Sequence, residues 1–269
     1  MLNEKDYRQL CLEVQRIAKG TGEFIRGERN KITASDVETK SSASFVTYVD
    51  KIAETMIVEA LRKLLPQAGY YTEEGTAGNS GEEYLWIIDP LDGTTNYIHG
   101  IFPVSVSIGL SFRNEMVVGV VYEIGREELF YAWKGSKAFL NGAEIQVASS
   151  EHAVDTLIGT GFPYYDFDRI KKYIEALDEL MKHTRGLRRM GSAAADLCYV
   201  AAGRYDGFFE HALHAWDVAA GSLIVQQAGG KVTDFNGGEN WLYGGEMVAS
   251  SSAFYPEFFE IIHRNLGTK

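Results

Sequence analysis

Four short apolar segments between Tyr84 and Trp133 constrain the fold more than any other feature of the chain. They are Tyr84–Ile88, Val104–Phe112, Met116–Tyr122 and Leu129–Trp133, separated by charged or glycine-containing stretches. Val104, Val106, Ile108, Leu110 and Phe112 alternate with period two, the pattern of a strand with one face inward. The short turns between the last three join antiparallel neighbours, so the middle of the chain is predicted to be an antiparallel sheet. Asn141-Gly142 adds a tight-turn signal just beyond it.

Helices are predicted to cover this sheet. Tyr7, Leu10, Cys11, Val14, Ile17 and Ala18 recur at helical spacing with charged residues between them. Gly27 to Lys40 breaks the period and is expected to be a loop. Ile52, Ala53, Met56, Ile57, Ala60 and Leu64 mark a second helix, with Asp50 near its start and Pro66 after its end. Past residue 150 strand and helix alternate: a strand at Leu157–Gly161, helices at Asp166–His183 and Ser192–Ala202, a strand at Tyr205–Phe209, a helix through Val218–Ala228, and a last helix near Pro256–Asn265. Ser192 is the expected cap of its helix and Gly203 the expected stop. The chain is therefore expected to be an α/β (α+β) protein of two halves, residues 1–150 and 151–269, packed as one compact unit with the active site where they meet.

A formal charge of −11, from 26 basic and 37 acidic side chains, argues against a nucleic-acid partner. The same charge repels phosphate esters unless bound cations reverse the local field. Cys11 and Cys198 lie far apart within apolar helical patterns and are expected to be small buried hydrophobes in a reducing compartment. The amino terminus shows no apolar signal core and no stretch is long enough to span a bilayer, so a cytoplasmic enzyme is expected, with no membrane partner.

The chemistry concentrates in acids. In Trp86-Ile87-Ile88-Asp89-Pro90-Leu91-Asp92-Gly93-Thr94-Thr95-Asn96, a buried strand is expected to end at Asp89, turn through Pro90, and present Asp92 before a short helix. Strand ends hold carboxylates rigidly, and free amides at a helix start can hold a phosphate. Asp-Pro and Asp-Gly are also ordinary turn pairs, and an acid before threonines can simply cap a helix. Glu73-Glu74 follows a probable strand and can equally be a solvated turn. Asp217 enters an apolar helix, where it can equally be an N-cap. Together Glu73, Asp89, Asp92 and Asp217 offer oxygen ligands that favour magnesium, manganese or calcium over zinc. His211 and His214 are three residues apart but lack a third soft ligand for zinc.

These residues resemble a known family. Asp89-Pro90-Leu91-Asp92-Gly93-Thr94-Thr95-Asn96 is similar to the first motif of the inositol monophosphatases, and Trp216-Asp217-Val218-Ala219-Ala220-Gly221 to the second. Glu73-Glu74 falls at the family's acidic pair, and Gly191-Ser192-Ala193-Ala194 resembles its substrate-side loop. The resemblance implies a layered αβαβα sandwich, a homodimer, two or three Mg2+ ions per site, and inhibition by lithium. It implies that Glu73, Asp89 and the Leu91 carbonyl hold one metal, that Asp89, Asp92 and Asp217 hold a second, and that Glu73 serves a weaker third. Glu73, Thr94 and Asp50 become the candidate catalytic residues, Thr94 orienting the attacking water with Asp50 behind it. Substrate would be held by Asp92, Gly93, Thr94, Gly191, Ala193, Glu210 and Asp217, with Lys40 aligning to a loop lysine near the phosphate when a one-residue gap is allowed.

The activity implied is hydrolysis of inositol monophosphate or a similar small polyol phosphate. Fructose 1,6-bisphosphate or a 3′-phosphonucleotide is the enzymatic alternative, and each would need a basic pocket for a second phosphate, for which Arg188 and Arg204 are the available residues. Arg188-Arg189 is otherwise expected to be a solvated surface pair. A calcium-dependent sugar-binding module would keep the acids but has no use for Thr94 backed by Asp50.

Overall fold

The computed structural model describes residues 2–32, 37–41, 44–77, 82–163 and 166–268. Its first sheet has seven strands in the order β3-β4-β5-β6-β7-β8-β9. These are β3 Gly69–Thr72, β4 Tyr84–Asp92, β5 Ser105–Phe112, β6 Glu115–Glu123, β7 Glu128–Trp133, β8 Ala138–Leu140 and β9 Ala143–Ile145. All neighbours are antiparallel except β3 and β4, which run parallel. Asn141 and Gly142, which join β8 to β9, both have positive φ (49° and 89°), the backbone an Asn-Gly hairpin turn needs.

One face of this sheet is covered by α1, Glu4–Glu28, and α2, Tyr48–Leu64, which bury Cys11, Val14, Ala53 and Ile57 completely against Trp86, Ile88, Val106 and Ile108. The other face meets α5, Ala193–Ala201, and α6, Ala215–Gln227. Beyond these lies a second sheet in the order β11-β10-β12-β14-β13, built from β10 Leu157–Thr160, β11 Gly186–Arg188, β12 Gly207–His211, β13 Gly230–Thr233 and β14 Glu246–Ser251. Its far face is closed by α4, Ile170–His183, and α7, Tyr255–Leu266. The architecture is thus the expected αβαβα sandwich. Cys11 and Cys198 are buried and unpaired.

Helix α6 explains its own composition. It is apolar on every side because a sheet lies on each side of it, and Val218, Ala219, Ala220, Leu223, Ile224 and Val225 are buried among both. Gly109 and Gly119 sit directly opposite each other on β5 and β6. A Cβ on Gly119 would lie 2.6 Å from the Ala220 carbonyl oxygen, and one on Gly109 would lie 3.2 Å from the Ala219 Cβ. The bare backbone of these two positions lets α6 settle close to the first sheet.

Two sequence expectations need correction. Residues 27–40 are not one loop: α1 continues to Glu28, a 3-10 turn spans Arg29–Lys31, and Val37–Ser41 forms β1, antiparallel to β2, Ser44–Thr47. Hairpin pairing with the strand that follows it, which local polarity does not encode, decides that stretch. Lys40 falls on β1, and its side chain lies outside the described residues. The other correction concerns β4, which does not stop at Asp89 but runs to Asp92. Asp89 pairs with Ser107 and Asp92 with Ser105, so three steps on β4 match two on β5. The proline is a bulge within the strand, where its missing N–H costs no ladder bond.

Candidate active site

That bulge decides where the acids point. Side chains on a regular strand alternate, so residues three apart face opposite ways. The extra residue at Pro90–Leu91 restores Asp89 and Asp92 to one face, the face that α5 and α6 cover. Asp217, in the first turn of α6, is brought down to them by the close packing on Gly109 and Gly119, and Ser107 Oγ donates to the Trp216 carbonyl at 3.3 Å. Oxygens of Asp89, Asp92 and Asp217 all lie within 4.8 Å of one another. Glu73, just past β3, adjoins the group through a hydrogen bond with Asp89, and its own amide donates to the Ile88 carbonyl at 3.2 Å.

Such a cluster resists ionisation. Burial, then Glu73, Asp92 and Asp217, holds the Asp89 carboxyl well above the usual carboxylate range. Burial and Asp92 do the same to Asp217. Asp92 is pushed up to about 6 by burial, moderated by the Ser192 hydroxyl at 2.6 Å and the Ala194 amide at 2.8 Å, which both donate to Oδ2. An all-oxygen donor set whose charges repel each other fits a hard divalent cation. Capping and clustering are compatible for Asp217, because its Oδ2 accepts from the His214 amide at 2.6 Å while the carboxyl faces the other acids.

Around the acids the backbone is drawn tight. Gly93 has φ +97°, and a Cβ there would sit 3.0 Å from the Pro103 carbonyl and 3.2 Å from that of Gly191. It begins α3, Thr94–His99. Thr94 Oγ1 donates to Asp50 Oδ1 at 3.1 Å, with the Leu91 carbonyl 3.2 Å away. Asp50 is fully buried and also accepts from the Thr47 amide and hydroxyl at 2.9 and 2.6 Å, so it caps α2 and backs Thr94 at once. Burial raises its carboxyl above the ordinary value, against the Thr47 hydrogen bonds. Gly191 follows β11 with φ +86°, and Ala193 opens α5. Glu210 lies on β12, 9% exposed, with its carboxyl pushed up to about 8 by burial.

Some supporting residues escape a sequence reading. Glu54 is fully buried and accepts from Thr72 Oγ1 at 2.9 Å and from the Glu74 and Thr76 amides at 2.7 Å, fixing the loop that carries Glu73. Its signal is present, an acid one turn after Asp50 on the apolar face of α2. Asn96 Nδ2 donates to the Pro103 and Met190 carbonyls, each at 2.8 Å, and ties α3 to the Gly191 loop. Arg189 is not the solvated partner of Arg188: only Arg188 is exposed, while Arg189 is half-buried with its guanidinium 5.8 Å from the Phe162 ring centroid. Arg204 does not approach Glu210 but forms a two-pronged pair with Glu128 at 2.6 Å.

The family model described as the inositol monophosphatase family matches residues 6–266. The chain belongs to the inositol monophosphatase family. It is 41% identical over 256 residues to Nus factor SuhB of Pseudomonas aeruginosa, covering 93% of this chain and 94% of that one. It is 37% identical over 253 residues to the inositol-1-monophosphatase of Mesorhizobium japonicum, covering 94% and 95%. The crystal structure of extragenic suppressor protein suhB from Bartonella henselae superposes with a TM-score of 0.89 at 35% identity, over 96% of this chain and 100% of that one. As a member of this family the chain is a phosphatase acting on inositol phosphate, and it carries an acidic cluster able to hold metal.

Proposed function

We propose that this inositol monophosphatase is magnesium-dependent, with inositol monophosphate or a close polyol phosphate as substrate. The observation that carries the reading is the meeting of Asp89, Asp92 and Asp217 within 4.8 Å, beside the start of α3. Glu73, Asp89 and the Leu91 carbonyl would hold one cation, Asp89, Asp92 and Asp217 a second, and Glu73 a weaker third. Bound there, divalent cations neutralise phosphoryl charge and make water acidic enough to attack phosphorus. The chain's own part is to position and to accept a proton. Thr94 donates its hydrogen to Asp50, which leaves its oxygen lone pairs for the attacking water. The raised proton affinity of buried Asp50 has the direction a proton acceptor requires. The Gly93 and Thr94 amides hold phosphate oxygens, and Gly191, Ala193 and Glu210 face the polyol hydroxyls. Lys40 stays a proposal without structural support, as its side chain lies outside the described residues.

The bisphosphate alternatives are not favoured, and Arg204 is engaged by Glu128. The name Nus factor belongs to the relatives that carry it. The net charge of −11 supports a reading in which this chain grips no nucleic-acid backbone directly. Among the described residues no helix is long and apolar enough to cross a membrane. The buried thiols support a reducing, cytoplasmic setting. The first sheet draws its strands from residues 69–145 and the second from 157–251, which supports a division near residue 150. Phosphate release from inositol 1-phosphate, fructose 1,6-bisphosphate and adenosine 3′,5′-bisphosphate, with and without magnesium, tests the reading. Inositol 1-phosphate should be hydrolysed fastest, only with magnesium, and lithium should suppress it; equal rates in chelator would sink the proposal.

A homodimer is part of the same reading. Phe167, Ile174 and Met181, 55%, 56% and 60% exposed, recur every seven residues along α4 and its lead-in, with half-buried Ile170 and Leu177 between them. An apolar helix stripe of this kind supports burial against a second copy. Light scattering on the paired variant Ile174→Glu, Met181→Glu should report monomer where the parent reports dimer.

A further inference from the structure

Two parallel strands of the second sheet end where Glu210 emerges. Gly159 of β10 lies opposite Phe208 of β12 and Thr160 opposite Phe209, so Gly161 and Glu210 leave the sheet side by side. A Cβ on Gly161 would overlap the Glu210 carboxylate, which therefore rests against the bare Gly161 backbone. The aim of that carboxylate depends on the peptide from which Glu210 departs and on the glycine against which it lies.

A helix on the far face of the sheet reaches both. Tyr173, in the first turn of α4, is fully buried, and the other buried residues of that helix, Ala176 and Leu180, carry no polar group. The Tyr173 ring packs on Phe209 and His211, its centroid 5.2 Å from each of theirs. These two alternate with Glu210 along β12, so the ring lies on the face of the strand away from the Glu210 side chain. Its phenol oxygen is 2.7 Å from Thr160 Oγ1, 2.9 Å from the Gly161 carbonyl and 3.3 Å from the Phe209 carbonyl. Thr160 Oγ1 in turn donates to the Phe209 carbonyl at 2.9 Å. Whichever way the hydroxyl pair is directed, the chain ends on a carbonyl at the close of a strand: Thr160 to Tyr173 to Gly161, or Tyr173 to Thr160 to Phe209. Burial, and after it the Glu210 charge, holds the phenol well above its usual range, so it keeps its proton.

The Phe209 carbonyl and the Glu210 amide form one rigid plane. Holding that carbonyl fixes the direction in which Glu210 leaves the strand, and holding the Gly161 carbonyl fixes the surface it rests on. A buried hydroxyl is costly unless it is bonded, and an apolar ring would pack equally well on Phe209. Packing alone gives no reason for a tyrosine here.

We propose that the Tyr173 phenol, together with Thr160, is a positioning residue for substrate selection, locking the ends of β10 and β12 so that the Glu210 carboxylate is held as acceptor for a vicinal hydroxyl pair. The inference rests on the reading that Glu210 faces the polyol. The ligand class favoured is a phosphate ester whose alcohol carries adjacent hydroxyls, over one whose alcohol carries none.

Steady-state kinetics with inositol 1-phosphate and phenyl phosphate, in saturating magnesium, read this selection as the ratio of their kcat/KM values. Tyr173→Phe keeps the ring and removes the hydroxyl. The ratio should fall about five-fold, the loss expected for one hydrogen bond, with KM for inositol 1-phosphate rising more than kcat falls. Thr160→Val should lower the ratio too, and it remains informative if the phenylalanine variant does not fold. The two changes together should add little to the larger single effect, because both break one chain. Introduced into Glu210→Ala, Tyr173→Phe should leave the ratio where it is. Leu180→Ala, further along the same buried face of α4, should lower Tm without moving the ratio. A lowered ratio in Glu210→Ala with a parental ratio in both Tyr173→Phe and Thr160→Val overturns this proposal and leaves the role of Glu210 standing. So does a ratio that falls as far in Leu180→Ala as in Tyr173→Phe, since general loosening then accounts for it. A parental ratio in Glu210→Ala overturns the reading of Glu210 and this proposal with it.

Discussion

Replacing Asp92 by Asn is expected to lower kcat/KM for inositol 1-phosphate by about 10³-fold or more, a loss of roughly 4 kcal/mol of transition-state stabilisation. The same change is expected to make the metal-free protein more stable. Asp92 is buried beside Asp89 and Asp217, and above pH 6 its charge adds to theirs with no cation between them. An amide oxygen can still accept from Ser192 Oγ and the Ala194 amide, which Asp92 now receives at 2.6 and 2.8 Å, so the α5 contact survives. Relief of one charge repulsion of about 1 kcal/mol should raise Tm in chelator by about 2–4 °C. The opposed signs are diagnostic, since a merely structural Asp92 would lose stability along with activity. Near-parental turnover would remove the metal-site reading altogether.

The second large effect is on stability against pH. Glu210 and Asp92 have carboxyls raised to about 8 and about 6 in the folded chain, above their ordinary values of 4.5 and 3.8. Between those limits the folded state binds more protons than the unfolded one, so stability must fall as pH rises. In chelator, Tm is therefore expected to drop from pH 5 to pH 8, with a free-energy loss on the order of 5 kcal/mol. Saturating magnesium should restore most of the share that belongs to the acid cluster, because a cation binds the deprotonated carboxylates. The Glu210 share should persist in magnesium, since that side chain lies apart from the proposed ligands. A Tm in chelator that climbs from pH 5 to pH 8 would contradict the assignment.

The helices and strands were legible wherever one periodicity dominated. The alternation in Val104–Phe112 and the helical spacing of Tyr7 to Ala18 reappear as β5 and α1, because α1 buries a single face and β5, though buried on both, turns its large apolar side chains to the α1–α2 side and its serines and Gly109 to the α6 side. The Ser192 cap was legible for a local reason as well, its hydroxyl accepting from the Ala195 amide at 3.3 Å. Where polarity alone was the guide, local pattern gave no warning. Nothing in the mostly polar residues 37–41 announces that they form a hairpin with 44–47, and nothing in Arg188-Arg189 tells which of the two is exposed.

The sequence by itself determined which residue types the site can draw on: Glu73, Asp89, Asp92 and Asp217, a glycine and a threonine after Asp92, and no soft-ligand set to compete. These are properties of local motifs, and motifs are written in consecutive residues. Tertiary structure alone decided that the acids share a space. Asp89 and Asp92 come onto one face only because β4 carries an extra residue against β5. Asp217 reaches them only because Gly109 and Gly119, on two other strands, leave room for α6 to approach. Register and packing distance are set by pairings across the fold, which is why the chemistry could be listed from the chain but assembled only in three dimensions.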